Sequence, residues 1–244
     1  MKIKKELLVK FLELSAIQGE VENKEALINI DGNMEVISVS EGKHVALNGI
    51  LTGKYETLGK VGIDNIKGLN TFLDNFESED EITIAKKENK LVLESSNKKL
   101  KVSCILKAPE YIVNTITKDK FGDLLAKAKD NEFVMDKSIV SKIISVANSM
   151  KSNELFISGK DNQITLSLND DRENNIISTF DLAGATKLTS FSIKISKILV
   201  NILKTIGDTV ILSIKNDCPM MIKYVEDGDN YKMEFVYLVA LLKK

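Results

Sequence analysis

Two pairs of aspartates are the residues of this chain whose type and spacing could hold a metal ion or transfer a proton. Asp170 and Asp171 are adjacent, and Asp227 and Asp229 flank a single glycine. Both pairs lie in segments rich in Asn or Gly that are typical of turns, where acidic side chains are commonly solvated. The segment around Asp227 also lacks the ligand spacing and the closing glutamate of a calcium loop. A metal-dependent enzyme that uses these four acids is therefore an alternative, and the main prediction is no metal site.

The other groups with catalytic potential are isolated from one another. His44 is the single histidine, so a histidine-rich metal site is excluded, and a Ser-His-Asp triad would have to use a residue at the start of a predicted strand. The Walker A, GxGxxG, HExxH and GxSxG motifs are all missing. Cys104 and Cys218 lie in predicted strands without CxxC spacing, as expected for core thiols in a reducing cytoplasm. We therefore predict a protein with no catalytic residues and no cofactor.

Lysine on the polar faces of predicted helices is the second chemical feature, because an ammonium group binds phosphate as a point charge. Arg172 is the only arginine, which argues against bidentate reading of bases. Glu6, Glu13 and Asp74 also occupy outward positions, so an ordinary solvated face is the alternative. If the lysines share one surface, its natural partner is duplex DNA, bound weakly and without base specificity. The lysines concerned are Lys5, Lys10, Lys67, Lys137, Lys142, Lys197 and Lys204.

Four amphipathic helices are predicted from apolar residues that recur at helical spacing. They cover Lys4–Ala16, Asp64–Phe76, about 136–150 and 195–206. Alternating strands separate and follow them, and Asp31-Gly32-Asn33 predicts a hairpin turn between the first two strands. The predicted strands are Glu25–Ile30, Met34–Ser40, His44–Leu51, Leu58–Ile63, Ile82–Ala85, Lys90–Glu94, Lys99–Lys107, Glu132–Met135, 154–159, 163–168, 175–182, and three strands after residue 209.

The helix starts indicate an internal repeat, because Lys4, Asp64, Asp136 and Ile195 are separated by 60, 72 and 59 residues. The longer interval falls at a lysine- and aspartate-rich segment, where Phe121, Leu124, Leu125 and Ala128 could form a short extra helix. We predict two similar domains, 1–110 and 131–244, joined by a connector at 111–130. The predicted fold is α+β, with each domain built from two helix-plus-antiparallel-strand modules and the helices on one face of curved sheets.

Composition is that of a globular protein, with 43% apolar and 28% charged residues. No stretch approaches 18 uncharged apolar residues, and the N-terminal apolar run contains Glu6 and Glu13. We therefore predict neither a membrane span nor a signal peptide.

Several local strings, in this order and at this spacing, resemble the DNA sliding clamps of the PCNA type, and the resemblance runs over the whole chain. Each string is weak evidence when it is taken alone. They are His44-Val45-Ala46-Leu47, Gly62-Ile63-Asp64, Glu79-Asp80-Glu81-Ile82-Thr83-Ile84, Thr209-Val210-Ile211-Leu212-Ser213 with Pro219-Met220-Met221-Ile222-Lys223-Tyr224, and Tyr237-Leu238-Val239-Ala240. The chain departs from cellular clamps in entering its first helix almost at once, in Asp74, and in ending with Lys243-Lys244. These departures favour a phage or mobile-element source.

The resemblance implies a homotrimeric ring that encircles duplex DNA, has no catalysis of its own and tethers a DNA polymerase after loading by a clamp loader. The lysines named above would face DNA, in the cytoplasm or in the nucleoid and cytoplasm of a phage host. Partner peptides would bind a pocket formed by His44, Val45, Leu47, Tyr111, Ile112, Val113, Pro219, Tyr237, Val239 and Ala240. The subunit interface would involve Cys104, Leu106, Ile176, Ile177 and Phe180, on strands at the edges of their sheets. A clamp relative that forms a heterotrimer, or acts in transcription or repair, is the other alternative.

Overall fold

The structure is a computed structural model that describes residues 1–16, 24–149, 154–169, 175–182, 188–195 and 197–241. Side chains are described for most of these residues, the exceptions lying next to the gaps. The helices are α1 (Lys5–Ala16), α2 (Ile66–Leu73), α3 (Lys118–Ala128), α4 (Lys137–Ser149) and α5 (Lys197–Ile206). None of these described helices is long and apolar enough to cross a lipid bilayer.

The strands pair antiparallel in all the registers that the described residues show, which confirms the predicted α+β fold class. The strands are β1 (Lys2–Lys4), β2 (Ala26–Val39), β3 (Val45–Ile63), β4 (Glu81–Lys87), β5 (Lys90–Ser95), β6 (Lys101–Ile105), β7 (Asn131–Met135), β8 (Glu154–Asp161), β9 (Gln163–Asn169), β10 (Asn175–Asp181), β11 (Leu188–Ile195), β12 (Val210–Ile214), β13 (Met220–Gly228) and β14 (Tyr231–Val239).

The chain forms two compact units. The first unit comprises Met1–Gly42, Ala46–Lys118 and Val225–Phe235, and the second comprises Lys43–Val45, Asp119–Tyr224 and Val236–Lys244. The predicted domain limits at 1–110, 111–130 and 131–244 stay a prediction.

The first unit contains two sheets and the helices α1 and α2, which pack against each other. One sheet has the strand order β1-β4-β5-β6, so β6 is an edge strand, and the other brings β2, β3 and parts of β14 and β13 side by side. Helix α1 buries Leu8, Phe11, Leu12 and Leu14, and the Phe11 ring meets Phe235 edge to face at 5.4 Å between centroids. Burying a side chain of this size stabilises a fold by about 1.5–3 kcal/mol, so this face fixes the helix on the sheet.

The predicted hairpin at Asp31-Gly32-Asn33 is wrong, because β2 runs through it and stays paired with β3. The register shifts on both sides of Gly32, whose φ of 72° is in the left-handed region that glycine adopts readily. The Asn33 side chain accepts a hydrogen bond from the backbone N–H of Gly53 at 3.2 Å. The turn residues therefore make a β-bulge inside a long strand pair rather than a reversal of the chain.

Two further details of the first unit differ from expectation. A three-residue strand, β1, precedes the first helix and pairs Lys2 with Thr83 in β4, although the sequence suggested direct entry into the helix. Such a strand is too short to show a period. Helix α2 begins after Asn65 rather than Asp64, because the Asn65 side chain accepts a hydrogen bond from the N–H of Gly68 at 2.8 Å.

The second unit repeats the arrangement with helices α4 and α5, which pack against each other. One sheet has the order β10-β9-β8-β11, with β10 at its edge, and the other contains β7, β12 and parts of β13 and β14. Strand β11 was not predicted, although Phe191 and Ile193 alternate with exposed or half-buried polar residues. The predicted extra helix is confirmed as α3, in which Phe121 and Ala128 are buried.

Candidate nucleic-acid and peptide interfaces

The outer face of α4 consists of lysine, serine and asparagine side chains. Helix α4 buries Val140, Ile143 and Val146 on its inner face. Its exposed residues are Lys137, Ser138, Ser141, Lys142, Ser145 and Asn148. Ammonium, hydroxyl and amide groups are the side-chain donors that contact phosphate oxygens in nucleic-acid complexes. Of these residues, Lys137 and Lys142 were predicted to face DNA, and the serines were not.

Aspartate 136 caps α4, and its carboxylate occupies the N-terminus of the helix. Its Oδ1 accepts hydrogen bonds from the N–H groups of Ser138 at 2.8 Å and Ile139 at 3.0 Å. Hydrogen bonds from the Ile139 N–H and then from the Ser138 side chain lower the pKa of Asp136. The Asp136 carboxylate therefore already accepts hydrogen bonds from the N–H groups to which an anion would otherwise bind at this end of the helix.

Helix α5 presents a narrower polar face beside α4. It buries Ile198, Leu199, Ile202, Leu203 and Ile206. Lys204 is exposed, whereas Asn201 and Thr205 are half-buried. The side chain of Lys197, also predicted to face DNA, lies outside the described side chains.

The first-unit lysines have different surroundings. Lys5 donates a hydrogen bond to the carbonyl of Phe76, and Lys10 forms an ion pair with Glu226 in β13 at 2.7 Å. Glu226 also accepts a hydrogen bond from the Tyr231 hydroxyl at 2.9 Å. Lys67 in α2 is exposed. Lys5 and Lys10 are therefore engaged by the fold, although all seven lysines stay predictions as contacts to DNA.

A groove of about 730 Å³ in the second unit includes two residues of the predicted peptide pocket, Pro219 and Ala240. Strand β11 supplies one wall, and the loop before β13 supplies the other. The lining residues are Ser190, Phe191, Ser192, Ile193, Lys194, Asn216, Asp217, Cys218, Pro219, Ala240 and Leu241. The backbone N–H of Ala240 donates to the carbonyl of His44 at 2.8 Å, which fixes the end of β14 at the groove.

Three other predicted pocket residues of the second unit are buried rather than exposed. Tyr237 and Val239 are each 1% exposed, and Val45 is fully buried. Burial, with a smaller contribution from Tyr224, raises the pKa of Tyr237 well above its usual value, so the phenol stays neutral. These side chains can support a binding surface from below, but they do not form its surface in this structure.

In the first unit, the segment after β6 is held by one buried carboxylate. Glu25 is 7% exposed, and its Oε1 accepts hydrogen bonds from the N–H groups of Val113 at 2.9 Å and Asn114 at 3.0 Å. Its Oε2 pairs with Lys107 at 2.7 Å. Glu25 was missed from the sequence because its partners lie 82 to 89 residues away.

The hydrogen bonds of Glu25 to this segment determine which of the predicted pocket residues in the connector are accessible. Tyr111 and Val113 are 66% and 75% exposed, whereas Ile112 is 4% exposed and anchors the segment. Leu47, another predicted pocket residue, is fully buried. Of the predicted pocket residues in the connector, Tyr111 and Val113 are therefore the two whose side chains a partner could contact.

The residues predicted for the subunit interface lie on or next to the edge strands. Ile177 in β10 is 62% exposed. Cys104, Leu106 and Phe180 are half-buried, and burial raises the pKa of the Cys104 thiol. Ile176 lies in β10, but its side chain is outside the described side chains. Their role between subunits stays a prediction.

Within the residues that the structure describes, no group of three or more His, Cys, Asp or Glu side chains could hold a metal ion. Asp227 lies 3.7 Å from the Lys232 ammonium. Asp170 and Asp171 lie outside the described residues, so the proposed four-acid site stays an untested alternative.

Comparison with known proteins identifies the fold. No protein-family profile and no curated protein sequence matches the chain. A structure of A. fulgidus PCNA with the C-terminal region of FEN-1 bound superimposes with a TM-score of 0.78 and 14% identity, over 100% of this chain and 98% of that one. PCNA from Entamoeba histolytica gives a TM-score of 0.77 and 14% identity, over 99% and 98%. The chain therefore has the PCNA-type clamp fold, as the sequence resemblance predicted.

Proposed function

We propose that the protein is a DNA sliding clamp, which encircles duplex DNA as a homotrimer and catalyses no reaction itself. The observation that carries this proposal is the superposition of the whole chain on nearly the whole length of PCNA structures. A ring would hold a polymerase on DNA by topology, so its contacts to DNA need not be tight. Exposed cations and hydroxyl groups on the helices suit such loose contacts.

The polar faces of the helices are the proposed DNA-facing surface. Lys137, Lys142 and Lys204 are exposed on α4 and α5, and Lys67 is exposed on α2. Lysine at such positions attracts phosphate without reading bases, so binding is expected to weaken steeply as salt rises.

The edge strands β6 and β10 are the proposed subunit contacts. Pairing β6 of one copy with β10 of the next would satisfy the outward backbone groups of both strands. The contact is head-to-tail, and such contacts generate closed rings when the rotation between copies closes.

The second-unit groove and the exposed connector residues are the proposed peptide-binding surfaces. The A. fulgidus neighbour has the C-terminal region of FEN-1 bound, which supports peptide docking as a property of this fold. In this chain, Pro219 and Ala240 line the groove, and Tyr111 and Val113 are exposed on the connector. The proposed partners are a DNA polymerase and a clamp loader, in the cytoplasm or nucleoid of the cell. A phage or mobile-element source stays a prediction.

The decisive experiment measures retention on DNA of different topology. The chain is loaded by the source cell's clamp loader onto a nicked circular duplex, and an aliquot is then linearised with a restriction enzyme. We expect retention on the circle and escape from the linear form. Equal escape from both would refute encirclement.

Light scattering provides the accompanying measurement of assembly. We expect a mass three times that of the 27.1 kDa chain. A monomer at micromolar concentration would refute the homotrimer and favour assembly with other subunits.

A further inference from the structure

The two helix pairs of the chain differ in charge. Helices α4 and α5 contain no aspartate or glutamate, although these residues make up 35 of the 244 in the chain. Helix α1 contains Glu6 and Glu13 beside its two lysines, and Asp74 follows α2 directly. The second-unit helix pair, α4 and α5, is therefore the more cationic of the two.

Two of the three lysines of the first-unit helix pair, α1 and α2, are also less available, whereas Lys67 is exposed. The Lys10 ammonium is 2.7 Å from Glu226, and Lys5 donates to a backbone carbonyl. A cation that already faces a carboxylate releases fewer counterions on binding phosphate than a solvated one, so it adds little to salt-dependent affinity.

The serines on α4 are unexpected for a face that is merely solvated. Exposed helix positions are best filled by strong helix formers, and Glu–Lys pairs four residues apart add stability. Serine is a poorer helix former, because its hydroxyl competes for nearby backbone groups. Ser138, Ser141 and Ser145 nevertheless follow one another at spacings of three and four residues on the exposed face. This face is built from small hydrogen-bonding groups at some cost in helix stability.

We infer that the outer face of α4, extended by Lys204 of α5, makes most of the phosphate contacts to DNA, and that the first-unit helix pair contributes few. The inference rests on the proposed function. From Ser138 to Asn148 the face is about 15 Å long, enough to contact several successive phosphates of one strand. The small serine side chains let a phosphate approach the helix closely, while Lys137 and Lys142 supply the charge.

The capping carboxylate restricts the contact to the side of the helix. Asp136 already accepts hydrogen bonds from the first N–H groups of α4. A phosphate at that end would meet a negative charge, whereas the flank from Ser138 to Asn148 carries no carboxylate. The partner is therefore the sugar-phosphate backbone of a DNA strand that lies alongside α4, rather than a single phosphate at the N-terminus of the helix.

The test uses two triple variants that remove the same charge. The first is Lys137→Ala/Lys142→Ala/Lys204→Ala, and the second is Lys5→Ala/Lys10→Ala/Lys67→Ala. Affinity for a duplex fragment is measured by fluorescence anisotropy over a range of salt concentrations. Each lost phosphate contact should reduce the slope of log K against log salt by about 0.9. We expect the slope to fall by about 2.7 in the first variant and by less than about 1 in the second.

A third variant removes the hydroxyl groups without changing charge. Ser138→Ala/Ser141→Ala/Ser145→Ala should weaken DNA binding several-fold while leaving the salt slope unchanged. Its melting temperature should change little, because the better helix propensity of alanine offsets the loss of the hydrogen bond between the Ser138 side chain and Asp136. Loss of affinity through unfolding is thereby separated from loss of contacts.

The outcomes distinguish the inference from the proposed function. Equal slope changes in the two lysine variants, or wild-type affinity in the serine variant, would overturn the inference while leaving the clamp intact. If the wild-type chain failed to stay on circular DNA, the proposed function itself would fail. A larger loss in the first-unit variant would reverse the assignment of the two helix pairs.

Discussion

The edge strands β6 and β10 have the same place in their respective sheets but carry opposite charge. The segment 96–109, which contains β6, has four lysines and no acidic residue. The segment 170–182, which contains β10, has four acidic residues and one arginine. Each strand also exposes one isoleucine, since Ile105 is 71% exposed and Ile177 is 62% exposed.

This difference selects how copies of the chain can pair. Strand β6 carries Lys101 and strand β10 carries Asp181 as their charged residues. Joining two copies of the same strand would bring like charges near each other, and like charges directly opposite destabilise a strand pair. Joining β6 to β10 would bring opposite charges near each other and would reduce the exposure of both isoleucines. Charge complementarity of this kind determines specificity and register more than affinity. Two different edges on one chain therefore favour a head-to-tail ring over a two-fold dimer.

The largest expected effect comes from placing a carboxylate at either isoleucine. Ile105→Asp or Ile177→Asp should abolish the proposed trimer, because an unpaired carboxylate buried in the interface costs several kcal/mol. Light scattering measures the loss as a change from trimer to monomer. Val134→Asp is the matched control, since Val134 is 54% exposed on β7. A trimer that survives both isoleucine variants would show that β6 and β10 are not the contact.

Reversing the charge on one of the two strands should weaken assembly less, and the size of this effect should depend on the charge of the strand that pairs with it. Lys101→Glu or Asp181→Lys alone should weaken assembly a few-fold, because an exposed ion pair contributes about 0.2–1 kcal/mol. The double variant should recover the part of the loss that comes from contact between copies, as measured by the trimer dissociation constant in a double-mutant cycle. The part that comes from Glu94, which lies 4.0 Å from Lys101 within the same chain, should not be recovered. Losses that simply add in the double variant would mean that the two segments do not meet.

Elements with a strong period could be predicted from the sequence. The apolar stripes of α1, α4 and α5 predicted those helices, and the alternation of Lys99–Lys107 and 175–182 predicted the strands that lie at sheet edges. The apolar residues Phe121 and Ala128 indicated helix α3. The helix forms despite Gly122, because one exposed glycine costs a helix only about 1 kcal/mol. Here local pattern and tertiary packing favour the same structure.

Features that depend on distant partners could not be predicted. The Asp31-Gly32-Asn33 segment has turn residues, but its pairing with β3 keeps it extended and uses Gly32 for a bulge. Strand β11 was missed because its short period-two pattern adjoins the stronger stripe of α5. The exposed serines of α4 carry no sequence motif, and they matter only because the structure shows which face they share. The burial of Tyr237 likewise depends on neighbours that the sequence does not identify.

The remaining prediction concerns the stability of the single chain rather than its assembly, and it changes Glu25, which anchors the segment after β6. Glu25→Gln should lower the free energy of unfolding by about 1–3 kcal/mol, because Lys107 and the N–H groups of Val113 and Asn114 lose a buried charged acceptor. Denaturant unfolding measures the change. Glu35→Gln is the control and should cost less than about 1 kcal/mol, since its partner Lys118 is 69% exposed.

The pH dependence of the stability lost in Glu25→Gln tests whether the charged carboxylate is the anchor. Burial alone would raise the pKa of Glu25, but Lys107 and the N–H groups of Asn114 and Val113 lower it below the ordinary 4.5. The carboxylate therefore stabilises the fold above about pH 4.5, and this stabilisation is lost as the pH falls through the lower folded value. The difference between wild type and Glu25→Gln should then shrink in acid, while the trimer mass at neutral pH stays unchanged. A difference that is independent of pH would mean that the packing around Glu25, rather than its charge, holds the chain that follows β6.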